Sequence, residues 1–206
     1  MPLDLTIAFL GYAIATSITP GPNNAMLLAS GVTFGFSRSI PHIMGINLGF
    51  GAMVLAVGLG ADALFATAPQ LFEAMRAIGT AYLLYLAWLI ARSGPIEENG
   101  IAPREPMTFL GAAAFQWVNP KAWMIIPGAI TGYTLQEERW QSVVIVAALY
   151  VLANLPCICT WAAFGVVLRR FLTRPGYVRS FNYAMALVLG LSTYPSIAEI
   201  VRTVTR

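Results

Sequence analysis

Six long apolar stretches divide this chain, at about Leu3–Phe34, Ile40–Gly60, Gln70–Ala91, Met107–Tyr133, Trp140–Leu168 and Val178–Ile200. A helix needs roughly 20 mainly apolar residues to cross a bilayer, so each stretch predicts one span. Charge agrees with that reading. Only 10% of residues are charged and 58% are hydrophobic, against roughly 25% charged in a soluble domain. So few charges cannot cover a water-facing surface, and lipid is the expected solvent. The predicted fold class is an all-α membrane protein with six transmembrane helices in a single domain, residues 1–206.

Two of the stretches are interrupted in the same way. The first breaks at Thr19-Pro20-Gly21-Pro22-Asn23-Asn24 and the fourth at Asn119-Pro120-Lys121. Proline lacks an N–H and its ring clashes with an earlier carbonyl, so the helix opens. The freed backbone groups cannot face hydrocarbon and must face protein or a wet cavity. Asparagine donates and accepts, so Asn23, Asn24 and Asn119 suit loose backbone groups or a polar ligand. Gly21 is expected to permit a tight turn. Helices restarting after Pro22 and Pro120 would aim free N–H groups at a ligand carboxylate.

The breaks lie about half a chain apart. Each opens a three-helix unit, about 1–92 and 107–206, joined by a proline-rich and charged linker at about 93–106. An odd number of spans per unit inverts the second relative to the first, the plan of many secondary transporters with a site at the midplane breaks.

Lys121 is the only lysine in the chain. An ionisable group inside a span is a functional hypothesis by default. It either binds a substrate carboxylate or exchanges a proton. Two rivals stand beside these: snorkelling to an interface, and donation to the carbonyls of the broken first helix. Asn47 lies between Gly45 and Gly49, a small-xxx-small pattern whose ordinary use is helix packing. Asn154 and Pro156 suggest a softer break in the fifth span, with Asn154 either facing the cavity or bonding between helices. His42, the only histidine, reads as a satisfied interfacial residue in preference to a pH sensor. Trp117 and Trp123 flank the second break. Cys157 and Cys159 read as small packing residues with no disulfide or metal role.

Asp4, Asp62, Glu73 and Glu199 fall near span ends and the other acids in connections. This argues against a metal or a cationic substrate, and no cofactor is expected. Neither a phosphate-binding glycine loop nor a catalytic constellation is present, so the chain is not expected to be an enzyme. Ala13-Ile-Ala15 resembles a cleavage site, yet no base precedes it. The first stretch therefore reads as a retained helix. Arg38, Arg92, Arg104, Arg169, Arg170, Arg174 and Arg179 lie on one side, and Arg139, Arg202 and Arg206 on the other. The arginine-rich side is expected in the cytoplasm, which puts both termini outside.

The Thr19–Asn24 element, Gly31, Gly35, Gly45 and Gly49, the run Gly79–Trp88, and Trp117-Val-Asn-Pro-Lys-Ala122 together resemble the LysE/RhtB family of amino acid exporters. The resemblance covers nearly the whole chain. It implies proton-driven efflux of amino acids or derivatives, and alternating access in a bacterial-type inner membrane is the expected mode of export. It also implies two motifs meeting centrally, at Pro20, Gly21, Pro22, Asn23, Asn119, Pro120 and Lys121. The absence of mid-span acids favours a neutral or small polar substrate. Expected partners are that substrate, protons and lipid, with a homodimer left open and nucleic acid excluded. A membrane scaffold without transport is the alternative. Ser192-Thr-Tyr-Pro-Ser196 matches no feature of the resemblance.

Overall fold

A computed structural model describes residues 1–61, 69–92, 105–135, 137–172 and 175–204. The described residues are helical with no strand. In chain order they form α1 (Leu3–Ile18), α2 (Pro22–Phe34) and α3 (Phe36–Ala56), extended by a π turn at Val57–Ala61. Then come α4 (Pro69–Arg92), α5 (Phe109–Phe115) with a 3-10 turn at Gln116–Val118, and α6 (Pro120–Tyr133). The series closes with α7 (Arg139–Arg169), α8 (Pro175–Ser192) and α9 (Tyr194–Val204).

Four described segments are long and apolar enough to cross a membrane: Phe36–Gly60, Glu73–Arg92, Arg139–Arg169 and Gly176–Arg202. Helices α1 and α2 qualify together as a fifth crossing bent by 56°. The stretch predicted at Met107–Tyr133 is divided into pieces too short to qualify alone. The last stretch also differs from expectation, with α8 and α9 meeting at Thr193. In the fifth, Pro156 opens no break: α7 runs through it, so the predicted softer interruption is absent. Almost all of the predicted linker, including Arg104, lies outside the described residues, as do Asp62, Arg174 and Arg206.

Local chain chemistry accounts for both real breaks. The residue before a proline is pushed toward extended backbone. Thr19 has ψ 144° before Pro20, and Asn119 has ψ 111° before Pro120. Pro22 and Pro120 then open the next helices, where a missing N–H does no harm. At the α2–α3 corner Gly35 has φ 81°, a left-handed conformation suited to glycine.

Helix α7 is the central post, packed against α1, α2 and α3, while α5 lies against α3. One core joins Phe9, Met53, Ile126 and Tyr150 from α1, α3, α6 and α7. Another joins Met26, Leu83, Phe115 and Leu189 from α2, α4, α5 and α8. Cys157 is buried and Cys159 half-buried, and both are free thiols. Tyr85, Trp88, Leu187 and Leu191 stand exposed on α4 and α8. Such a surface suits lipid, where outward apolar groups lose nothing. The small-xxx-small expectation on α3 holds: Cβ atoms at Gly45 and Gly49 would collide with Phe109 and Ala113 of α5. That is backbone-level packing of the kind the pattern predicts.

Candidate functional site

A helix ending inside a membrane leaves its last carbonyls without intrahelical donors, and each must find another. At the end of α1 every carbonyl from Ala15 to Gly21 has a donor. Thr19 N–H reaches Ala15 O at 3.3 Å, and Thr19 Oγ1 reaches Thr16 O at 3.0 Å. Asn24 Nδ2 donates to both Ser17 O and Thr19 O at 2.8 Å. The Trp161 indole donates to Ile18 O at 3.1 Å, and Ala25 N–H to Gly21 O at 3.0 Å. Lys121 supplies the rest, reaching from α6 to Thr19 O at 2.7 Å, Thr19 Oγ1 at 3.0 Å and Pro20 O at 3.3 Å. Thr19 and Pro20 are exposed, so this donor set is what makes the break tolerable.

The second break is settled by its own residues. The Asn119 side chain caps α6 by accepting from Lys121 N–H at 3.1 Å. Trp123 Nε1 donates to Trp117 O at 2.7 Å. The expected flanking pair therefore mends the break directly. Of the two rival structural roles for Lys121, donation to the first helix is the one observed.

The breaks are also tied to each other. Asn23 Nδ2 donates to Gln116 Oε1 at 2.8 Å, and Gln116 Nε2 returns a bond to Asn23 Oδ1 at 3.3 Å. Gln116 is fully buried and also donates to Ala112 O at 2.8 Å. Sequence reasoning passed over Gln116, although a glutamine three residues before Asn119 in an apolar stretch was a usable signal. It also missed Thr16 and Tyr150, whose hydroxyls share a short hydrogen bond between α1 and α7. An aromatic in an apolar helix gives no such signal.

Between the breaks lies a cavity of about 30 Å³. Its walls include Gly21, Asn23, Asn24, Asn119 and Lys121, with Thr16, Ser17 and Tyr150. The first turns of α2 and α6 thus converge on one space, beside an ammonium. Among the described residues no carboxylate forms a salt bridge with Lys121; the salt bridges there are Arg76–Glu73 and Arg202–Glu199. Two helix N-termini and a cation without a countercharge make an electropositive pole suited to a carboxylate. The space holds a water molecule or two, too little for an amino acid.

Gly21 differs from expectation. Its φ of −176° is extended backbone open to any residue, so no turn requires glycine. The reason is space: a Cβ there would lie 2.6 Å from Lys121 Cδ and 3.1 Å from Nζ. Asn154 does both things asked of it. It lines the cavity, and its Nδ2 donates to Asn47 Oδ1 at 2.8 Å across α3 and α7. Asn47 itself is 1% exposed and spent on that bond rather than on the cavity. A double-mutant cycle of Asn47→Leu and Asn154→Leu, read by thermal unfolding in detergent, is expected to give a coupling of about 0.6–1.7 kcal/mol. Additive effects would show that the two amides do not support each other.

His42 departs from its expected state. It is 2% exposed, and neither ring nitrogen has a hydrogen-bond partner among the described residues. The 192–196 segment, which the family resemblance leaves unmatched, joins α8 to α9. Its Pro195 and Ser196 help line an outer cavity of about 300 Å³ with Arg76, Trp117, Trp123 and Glu199. No group of His, Cys, Asp or Glu among the described residues could hold a metal.

Paired helix breaks beside a polar cavity in a multi-pass apolar bundle are a feature of membrane transporters. The chain belongs to the LysE type translocator family, whose profile matches residues 14–192. It is 31% identical over 191 residues to a cysteine/O-acetylserine efflux protein of Escherichia coli O157:H7, covering 92% of this chain and 95% of that one. The same identity and coverage hold for the cysteine/O-acetylserine efflux proteins of Escherichia coli strain K12 and Shigella sonnei strain Ss046. The family match and these efflux relatives indicate a transporter rather than an enzyme. No solved structure matches the chain.

Proposed function

We propose that this protein is a secondary active exporter of small neutral or polar amino acids, or their derivatives, in a bacterial inner membrane. The family match and the efflux relatives support amino acid export. One observation carries the site: the Lys121 ammonium, without a carboxylate partner among the described residues, on the wall of the cavity where α2 and α6 begin. A substrate carboxylate would supply the missing countercharge. In this reading Thr19, Pro20, Gly21, Pro22, Asn23, Asn24, Asn119, Pro120 and Lys121 form the central site. Asn154 lines it and Asn47 holds Asn154.

Six spans follow if α5 and α6 are taken as one broken crossing like α1 and α2. The repeats are then α1 to α4 and α5 to α9, inverted relative to each other, with both termini outside. The cavity admits no amino acid as it stands, so transport requires a second conformation opened to one side. Alternating access coupled to inward proton flow supplies that requirement.

The test is uptake of a labelled amino acid panel, including reduced L-cysteine, by inverted membrane vesicles. Uptake is expected for small neutral substrates, and it should rise when the lumen is made acidic. Flux that ignores the pH gradient would remove proton coupling. No flux of any amino acid would remove the exporter reading.

A further inference from the structure

A second cavity, of about 290 Å³, lies between α2 and α3 on one side and α4 and α8 on the other. Its polar lining includes His42, Tyr82, Tyr85, Glu105 and Asn182. The remaining wall is largely apolar. A neutral imidazole has one donor and one acceptor, and buried polar groups are ordinarily satisfied. His42 leaves both ring nitrogens without a partner among the described residues while it lines this chamber. Both ring nitrogens are buried behind the chamber wall, and a turn of the ring would present one of them to a polar ligand.

We propose that this chamber is a loading site for the amino acid, distinct from the central cavity. Glu105 stands exposed and can hold the ammonium. The Tyr82 hydroxyl, and the His42 N–H once its ring turns to the chamber, can donate to the carboxylate. The apolar wall takes a short neutral side chain. The central cavity offers a cation and no acid among its lining residues, and this chamber supplies the acid. Helix α2 connects the two: Asn23 and Asn24 line the central cavity, and Met26, one turn on, already lines the chamber. Arg38 lies at the N-terminal end of α3 and Arg92 at the C-terminal end of α4, over Phe34 and Trp88, beside the chamber residues Phe34, Leu89 and Ile90. Basic residues mark the cytoplasmic side, where an exporter collects its cargo. The inference rests on the exporter reading and adds a second binding step to it.

The experiment is the initial rate of labelled, reduced L-cysteine uptake into inverted vesicles, which present the cytoplasmic face outward. It compares wild type with His42→Gln and Glu105→Gln at matched membrane abundance. Loss of one charge-assisted hydrogen bond should raise the half-saturating concentration about tenfold, with the maximal rate within about twofold. Glu105 is exposed, so its variant leaves the packing intact even if His42→Gln folds poorly. If wild type carries cysteine and Glu105→Gln shares its half-saturation, the chamber is filled by water or lipid and the inference is wrong. If wild type carries no amino acid, the exporter reading itself fails first.

Discussion

Lys121→Met is expected to lower amino acid efflux at least about a hundredfold at matched membrane abundance. The substitution removes the only ammonium at the central cavity and three hydrogen bonds to the end of α1. Hydrogen bonds to a charged group contribute about 1.5–3 kcal/mol each, and 1.4 kcal/mol is tenfold. Removing two such bonds to a substrate carboxylate is enough for the predicted factor. Thr19 O keeps its bond from Asn24, whereas Pro20 O is left bare and the variant should also unfold at lower temperature. Gly21→Ala tests the same geometry without removing the charge. Its Cβ would push the lysine stem off the break, so efflux should fall in the same direction by a smaller factor. A Lys121→Met protein that exports at the wild-type rate would strip Lys121 of any part in transport.

Gly31→Val is expected to eliminate folded protein, read as loss of the monodisperse peak in detergent and of membrane abundance. Helices α2 and α7 cross with Gly31 and Gly165 facing each other. A Cβ at Gly31 would sit inside the carbonyl of Ala162, and one at Gly165 inside that of Leu28. Overpacking a core that can relax costs about 1–3 kcal/mol. Here the obstacle is backbone on both sides, so relief requires separating the two helices that hold the first break against the central post. Gly11 is the contrast. It lies on an exposed face of α1 with nothing near its missing Cβ, so Gly11→Ala should be neutral or stabilise by about 0.5–1 kcal/mol. Equal behaviour of the two variants would show that α2 and α7 can part at their crossing without loss of the fold.

The apolar segments and the two breaks were legible in the sequence because their causes are local. A span is declared by about 20 consecutive residues that lipid accepts. Thr19-Pro20 and Asn119-Pro120 open their helices by clashes within a few bonds, whatever surrounds them. The meeting of the two motifs was legible too, through the repeated Asn and Pro half a chain apart and the solitary lysine. By the same local logic Pro156 looked like a third break, yet α7 passes straight through it. Packing against α1, α2 and α3 overrides the proline there.

The partners were decided only by the tertiary structure. A buried amide or hydroxyl bonds to whatever lies across the helix interface, and that neighbour is set by how the bundle packs. Hence Asn23 found Gln116, Asn154 found Asn47, and Thr16 found Tyr150, 93, 107 and 134 residues away in the chain. Lys121 lies across the end of α1 because Gly21 leaves room for its stem. His42, expected to be satisfied, was left with two bare nitrogens beside a chamber. Hydropathy and proline chemistry act along the chain and can be read from it, whereas hydrogen-bond choice in a low-dielectric interior acts between helices and appears only once they are packed.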